Sequence, residues 1–265
     1  MKIAFVILTY NSDKFIEDCL NSILKFKSVE YSIYVIDNGS KDQTIEIIKS
    51  FSDVNIHLIC LEKNYGTTIS RNKGLKKITD EQFVCILDSD TIVNEEAIIS
   101  MINYLQNHKD VGLVGPSMKN INGELQTPYR KFPNLKLKLY KALPIKRFND
   151  KGHELESYIL DDKQTEVICD YLISACWVMP VSTLSIVGLL DERIFYAPED
   201  VEYCIRVWKN NLKIVHLKKP CIIHYYQRIS RKKLISKVNL SHFYCLIRML
   251  TENRNFLKER RKIKI

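Results

Sequence analysis

The chain has 265 residues, 46% of them hydrophobic and 27% charged, which is the composition of a soluble globular protein with room for a substantial core. Its net charge of +9 is unevenly placed: from Arg228 onward twelve Lys or Arg face two Glu, a net of +10, leaving residues 1–227 at −1. That split argues against a nucleic-acid enzyme with a cationic groove and for a single segment that meets an anionic surface.

The opening apolar run, residues 1–8, is too short for a signal peptide or a membrane span, and Thr9-Tyr10-Asn11-Ser12 ends it. Residues 2–8 are predicted as the first strand, followed by strands over 31–36, 54–61, 82–87 and 111–115. Between them helices are predicted to start near Asp13, Asp42, Thr67 and Asn94, mostly residue types that cap a helix well. The spacing of Phe15, Cys19, Leu20, Ile23 and Leu24 gives the first helix an apolar stripe. A βαβα order of this kind implies an α/β fold with a doubly wound, mostly parallel sheet. Asn122-Gly123, between 117–121 and 124–126, signals a hairpin. Residues 128–165 carry three prolines and many lysines and read as a long loop region with one helix at most. An apolar run resumes over 167–180. A smaller lobe follows, with a helix over 199–210, strands over 213–217 and 221–225, and a last helix over 232–250. The chain therefore divides into an α/β half (1–116), a second half of the same domain (117–227) and a basic helical tail (228–265). Eight cysteines without a Cys-x-x-Cys pair, mostly inside apolar runs, read as free thiols of a reducing compartment, so a cytoplasmic protein is expected.

Chemistry concentrates where strands end. The run 82–87 delivers Asp88-Ser89-Asp90 to its C-terminal mouth, where open α/β sheets bind ligands. Two carboxylates one residue apart on a turn suit a hard divalent cation that keeps sites for phosphate oxygens. The same residues also serve as turn and helix caps. The second strand ends in Asp37-Asn38-Gly39-Ser40, a tight turn that leaves the Asp37 carboxylate at the mouth. There it either accepts the imide N–H of uracil or thymine or closes an Asx turn. Asn64-Tyr65-Gly66 follows the third strand, and Arg71, one helical turn further, either pairs with phosphate or a metal-ligating carboxylate or lies on a solvated helix face.

Together these clusters resemble glycosyltransferase family 2, the nucleotide-sugar-dependent enzymes of GT-A fold. The resemblance runs through Ile7–Ser12, Val35–Thr44, Asn64–Gly66, Leu87–Thr91, Val114–Pro116, Val187–Phe195 and Glu199–Arg206 to His224, and is greatest for the bacterial rhamnosyltransferase-type branch. It implies a metal-dependent inverting enzyme that transfers a hexose from a dTDP- or UDP-linked donor to a hydroxyl of a glycan or lipid-linked acceptor in surface polysaccharide synthesis. Thr9, Asn11 and Asp37 would then face the nucleoside, with Arg71 near the diphosphate, Asp88 near the ribose or a metal-bound water, and Asn64 and Gly66 also binding the nucleotide. Asp90 and His224 would ligate Mg²⁺ or Mn²⁺. Asp200 would be the catalytic base and Glu199 its acceptor-side neighbour. Glu202 and the sequence Tyr225-Tyr226-Gln227-Arg228 depart from the family's usual Asp and glycine-containing turn. A sugar nucleotidyltransferase would carry a glycine-rich loop after the first strand, whereas the first glycine here is Gly39. A non-catalytic nucleotide-sugar-binding partner has no need of both Asp90 and Asp200. The cationic tail is expected to touch an anionic membrane peripherally, at its inner face.

Overall fold

Lys2–Thr9 (β1) is the centre of the structure and pairs in parallel with Glu30–Asp37 (β2) on one side and Phe83–Asp88 (β4) on the other. Its alternation sorts the core: Ile3, Phe5 and Ile7 face one hydrophobic layer, Ala4 and Val6 the other. The computed structural model describes residues 1–134, 137, 140, 146–158, 163–225 and 237–263. The remaining strands are Ile56–Cys60 (β3), Thr91–Ile92 (β5), Val111–Lys119 (β6), Leu125–Gln126 (β7), Tyr129–Arg130 (β8), Glu166–Ile168 (β9), Tyr171–Leu172 (β10), Cys176–Pro180 (β11) and Lys213–His224 (β12). The main sheet runs β3-β2-β1-β4-β11-β6-β12-β5, with β7 on β6 and β9 on β12. Its first four strands are parallel, and β11 runs antiparallel between β4 and β6.

Helices cover both faces, as the βαβα order predicts. Ile16–Leu24 (α1), Thr44–Ser50 (α2) and Glu95–Asn107 (α4) pack on one face. Thr67–Leu75 (α3), Val181–Val187 (α6), Glu199–Lys209 (α7), Lys237–Glu252 (α8) and Arg254–Arg260 (α9) pack on the other. Lys146–Glu156 (α5) lies in the loop region. Asn94 caps α4 by accepting from the Ala97 amide, whereas α1 starts three residues after Asp13. The predicted strands over 213–217 and 221–225 are a single strand, β12, with a register break between Leu217 and Cys221. Residues 167–180 divide into three short strands. Of the predicted final helix, 232–236 lie outside the described residues, and its course from Lys237 agrees with the prediction.

The chain end is more firmly attached than a solvated basic tail. Leu257 is buried, the guanidinium of Arg260 lies 3.5 Å from the Trp208 ring centre, and its Nε donates to Asp170 Oδ1 at 3.0 Å. Asp170 accepts in turn from the Phe132 amide. The eight cysteines are free, as expected, although Cys60 is exposed. No helix among the described residues is long and apolar enough to cross a membrane.

Candidate active site

The parallel register sets Thr9 beside Asp37 at the ends of β1 and β2. Asp37 is fully buried, and its Oδ2 accepts from the Gly39 and Ser40 amides at 3.1 and 3.0 Å. That is the expected Asx-type turn, but it occupies one oxygen only. Oδ1 of Asp37 and Oγ1 of Thr9 are buried with no hydrogen-bond partner among the described residues. Orphaned polar atoms of this kind are rare and costly unless a ligand answers them. Asn11 sits beside them at φ +50, its amide donating to Ser40 Oγ and its Oδ1 accepting from the Lys41 amide. Its side chain thus ties the two loops together. Asn64 does the same for its own turn, because its Oδ1 accepts from Asn38 Nδ2 and from the Gly66 amide. Gly66, at φ +85, lies so close under the Phe195 carbonyl that any Cβ would collide with it. Asn64 and Gly66 shape the floor of the cleft.

Arg71 is not a surface residue of α3. Its guanidinium is buried beneath the mouth of β4, with Nη2 donating to Asp88 Oδ1 at 2.6 Å and to the Ser174 carbonyl at 3.1 Å. Nη1 donates to Ser174 Oγ at 2.8 Å and stands 3.5 Å from Glu199 Oε1. Ser174 Oγ in turn donates to Glu199 Oε1 at 3.0 Å. One hydroxyl therefore joins the Asp88 side of the cleft to the acid pair opening α7. Burial pushes the Glu199 carboxyl up to about 8, the neighbouring Asp200 adds to the rise, and Arg71 opposes it. Asp200 is less buried than Glu199 and caps its own turn by accepting from the Val201 amide at 2.8 Å. A cis peptide joins Ala197 to Pro198 immediately before this pair. Val201, Cys204 and Ile205 anchor α7 in the core, and Glu202 grips Arg206 through two hydrogen bonds.

Asp88, Asp90 and His224 each present a ligand atom, all within 4.8 Å of one another. The strands explain the convergence: Asp90 immediately precedes β5, whose Thr91 is in register with His224 at the end of β12. The Tyr225 amide also donates to the Asp90 carbonyl. His224 Nε2 lies 3.6 Å from Asp90 Oδ1, too far for a hydrogen bond. Two atoms on one octahedral cation at bond lengths of about 2.1 Å stand about 3 Å apart when adjacent and about 4.2 Å when opposite, so 3.6 Å is within reach of a shared ion. Two carboxylates and an imidazole are a donor set for Mn²⁺ or Mg²⁺ that still leaves positions open.

The structure thus gathers Asp88, Asp90, Arg71, Glu199 and His224 around one cleft and places Thr9 and Asp37 at the ends of the adjoining strands. Two participants carried no sequence signal. Ser174 is one polar residue in an apolar run, and Gln126, whose amide meets both the side chain and the carbonyl of His224, is one of many polar residues in a loop-rich stretch.

The family model described as Glycosyl transferase family 2 matches residues 4–165. Over 128 residues, 46% of this chain and 22% of the relative, the chain is 36% identical to the poly(ribitol-phosphate) β-N-acetylglucosaminyltransferase TarS of Staphylococcus aureus. It is 33% identical over 131 residues to the poly-β-1,6-N-acetyl-D-glucosamine synthase of Staphylococcus epidermidis, 47% of this chain and 32% of that one. The chain thus spans a third or less of the length of these curated relatives. Both are named for N-acetylglucosamine, not for the rhamnose that the sequence motifs suggested. The crystal structure of S. aureus TarS with UDP-GlcNAc matches with a TM-score of 0.59 at 21% identity, over 89% of this chain and 62% of that one. GalNAc-T7 with UDP, GalNAc and Mn²⁺ matches with a TM-score of 0.72 at 16% identity, over 97% and 50%. These likenesses establish the expected GT-A type of α/β fold.

Proposed function

The chain belongs to glycosyl transferase family 2, and on that premise we propose that it moves a sugar from a nucleoside diphosphate sugar to a hydroxyl of a glycan or lipid-linked acceptor, with inversion, during synthesis of a bacterial surface polymer. The observation that carries this reading is the cleft itself. Three cation-ligand atoms lie on one side of Ser174 and an acid pair on the other.

In this reading the unanswered Oδ1 of Asp37 accepts the imide N–H of the base, and Thr9 and Asn11 line the nucleoside. Uracil and thymine carry this N–H, whereas adenine and cytosine lack it. The names of the relatives favour UDP-N-acetylglucosamine over a dTDP-linked rhamnose. Asp90, His224 and Asp88 would hold Mg²⁺ or Mn²⁺, which would supply electrostatic stabilisation of the charge on the departing diphosphate. Arg71 reaches that side through Asp88 rather than by lying open to phosphate. Asp200 takes the proton of the acceptor hydroxyl, a contribution of about 10²–10⁴-fold, and attack opposite the leaving group inverts the anomeric centre without a covalent intermediate. Glu199 acts one step back, holding Ser174 and through it Arg71. Phe243 and Tyr244, 60% and 68% exposed on α8, lie in the same basic stretch (228–265) and support peripheral contact with an anionic membrane.

The test is thermal stabilisation by a panel of nucleotide sugars with and without Mn²⁺. UDP-linked sugars should raise Tm in a Mn²⁺-dependent way, and Asp90→Ala should abolish the metal-dependent part. A panel in which no nucleoside diphosphate sugar stabilises the protein contradicts the proposal.

A further inference from the structure

We infer that Gln126 is a positioning residue that locks the His224 imidazole with its Nε2 lone pair aimed at the cation position beside Asp90. This rests on reading Asp90 and His224 as cation ligands. One primary amide meets His224 twice: Gln126 Nε2 lies 2.8 Å from the His224 carbonyl oxygen, and Gln126 Oε1 lies 2.9 Å from His224 Nδ1. A carbonyl oxygen only accepts, so the end of the amide facing it must be the NH₂. The other end is therefore the amide oxygen, which also only accepts, and Nδ1 must carry the hydrogen. In the neutral ring that leaves the lone pair on Nε2, the atom 3.6 Å from Asp90 Oδ1. Turning the amide over would set two acceptors against each other at 2.8 Å, so the arrangement selects one tautomer.

The hairpin gives Gln126 its place. β7 pairs with β6 through Met118↔Gln126 and Lys119↔Leu125, and the same stretch of β6 pairs with β12 through Met118↔Ile222 and Lys119↔Ile223. Gln126 thus lies across β6 from the last residues of β12, within side-chain reach of His224. The turn closes through Gly123 at φ +85 and three hydrogen bonds between Asn120 and Glu124. Core burial does not explain the hairpin, because Ile121 and Leu125 are 60% and 79% exposed. The partly buried amide of Gln126 is what it delivers. A fixed second nitrogen orients a ligating imidazole and raises its basicity, and losing such a partner costs about 10–100-fold in metal affinity.

Two measurements test this. In the metal-free protein, two-bond ¹H–¹⁵N correlation spectra should show His224 as the Nδ1–H tautomer, and the Nε2–H tautomer would overturn the inference. Mn²⁺ titrated alone and followed by its free-ion EPR signal should bind Gln126→Ala about 10–100-fold more weakly than the wild type. Gln126→Glu, which keeps an acceptor for Nδ1–H, should recover most of that loss. Gln126→Glu gives up the donor to the His224 carbonyl but keeps the acceptor that faces Nδ1, so it decides the question if the alanine variant is unfolded: Mn²⁺ binding by Gln126→Glu as weak as by His224→Ala would overturn the role. Wild-type affinity in Gln126→Ala, with weakened binding in His224→Ala, overturns the Gln126 inference alone. Wild-type affinity in His224→Ala instead overturns the ligand assignment on which it rests.

Discussion

Arg71 Nη2 and Asp88 Oδ1 lie 2.6 Å apart, the guanidinium fully buried and the carboxylate 35% exposed at the cleft. A cation held under the mouth of a strand fixes where that strand's carboxylate points, and here the same guanidinium also holds Ser174. Removing it leaves Asp88 and Ser174 without their common donor and Glu199 without its cationic neighbour. Arg71→Met should destabilise the protein by about 2–3 kcal/mol, below the range for a fully buried pair because Asp88 is partly hydrated. Urea denaturation measures this, and a change under about 0.5 kcal/mol, the scale of an ordinary surface substitution, would show that the pair is incidental.

Glu199 makes a pH prediction with a definite sign. Its folded-state carboxyl is raised to about 8, whereas the unfolded chain releases that proton near 4.5. The folded form therefore binds the extra proton between these values. The contribution to stability is complete below 4.5 and is lost as pH rises toward 8. Glu199→Gln keeps the acceptor for Ser174 and removes the titration, so the wild type should lose Tm relative to the variant between pH 5 and 8. A constant difference across that interval contradicts the assignment.

Much of the site is legible in the sequence because strand ends are legible. Asp37, Asp88 and Asp90 follow apolar runs, and their placement at the mouth of a parallel sheet follows from period and turn chemistry alone. Glu199 and Asp200 are recognisable as the first turn of a helix whose stripe, Val201, Cys204 and Ile205, is buried as expected. What the sequence conceals is register. That Thr91 aligns with His224, that Gln126 reaches the same histidine from a hairpin, and that Ser174 enters the cleft before β11 all depend on pairings between segments roughly 90 to 130 residues apart. Arg71 shows the same limit. A helical arginine of this spacing is usually solvated, and only the packing of α3 on β1 and β2, which carries the guanidinium to Asp88 at the end of β4, makes it a buried partner.

The orphaned Oδ1 of Asp37 predicts base selection. Asp37→Ala should weaken UDP binding by about 10–100-fold, the worth of one charge-assisted hydrogen bond, and leave the weaker binding of CDP, whose base lacks the N–H, unchanged. Competition calorimetry with both nucleotides checks this. Equal losses for UDP and CDP would remove Asp37 from base recognition.

The chain end has two separable roles. Arg260 docks on Asp170 and Trp208, so deleting residues 254–265 should lower Tm by itself and is a poor probe of membrane contact. Arg254 and Lys258 are exposed, and Arg254→Gln with Lys258→Gln should leave Tm unchanged while weakening salt-sensitive binding to anionic liposomes. Liposome binding indifferent to both salt and these charges would contradict the membrane contact.

Transfer as proposed requires Asp200 to take a proton from an acceptor hydroxyl while the donor is held on the other side of Ser174. Nucleoside diphosphate release from UDP-N-acetylglucosamine in Mn²⁺ with a hydroxyl acceptor, compared between the wild type and Asp200→Asn, measures this step. The amide preserves shape and cannot accept the proton, so kcat should fall at least about 10²-fold while UDP affinity holds. Turnover by Asp200→Asn within a few-fold of the wild type would contradict that role.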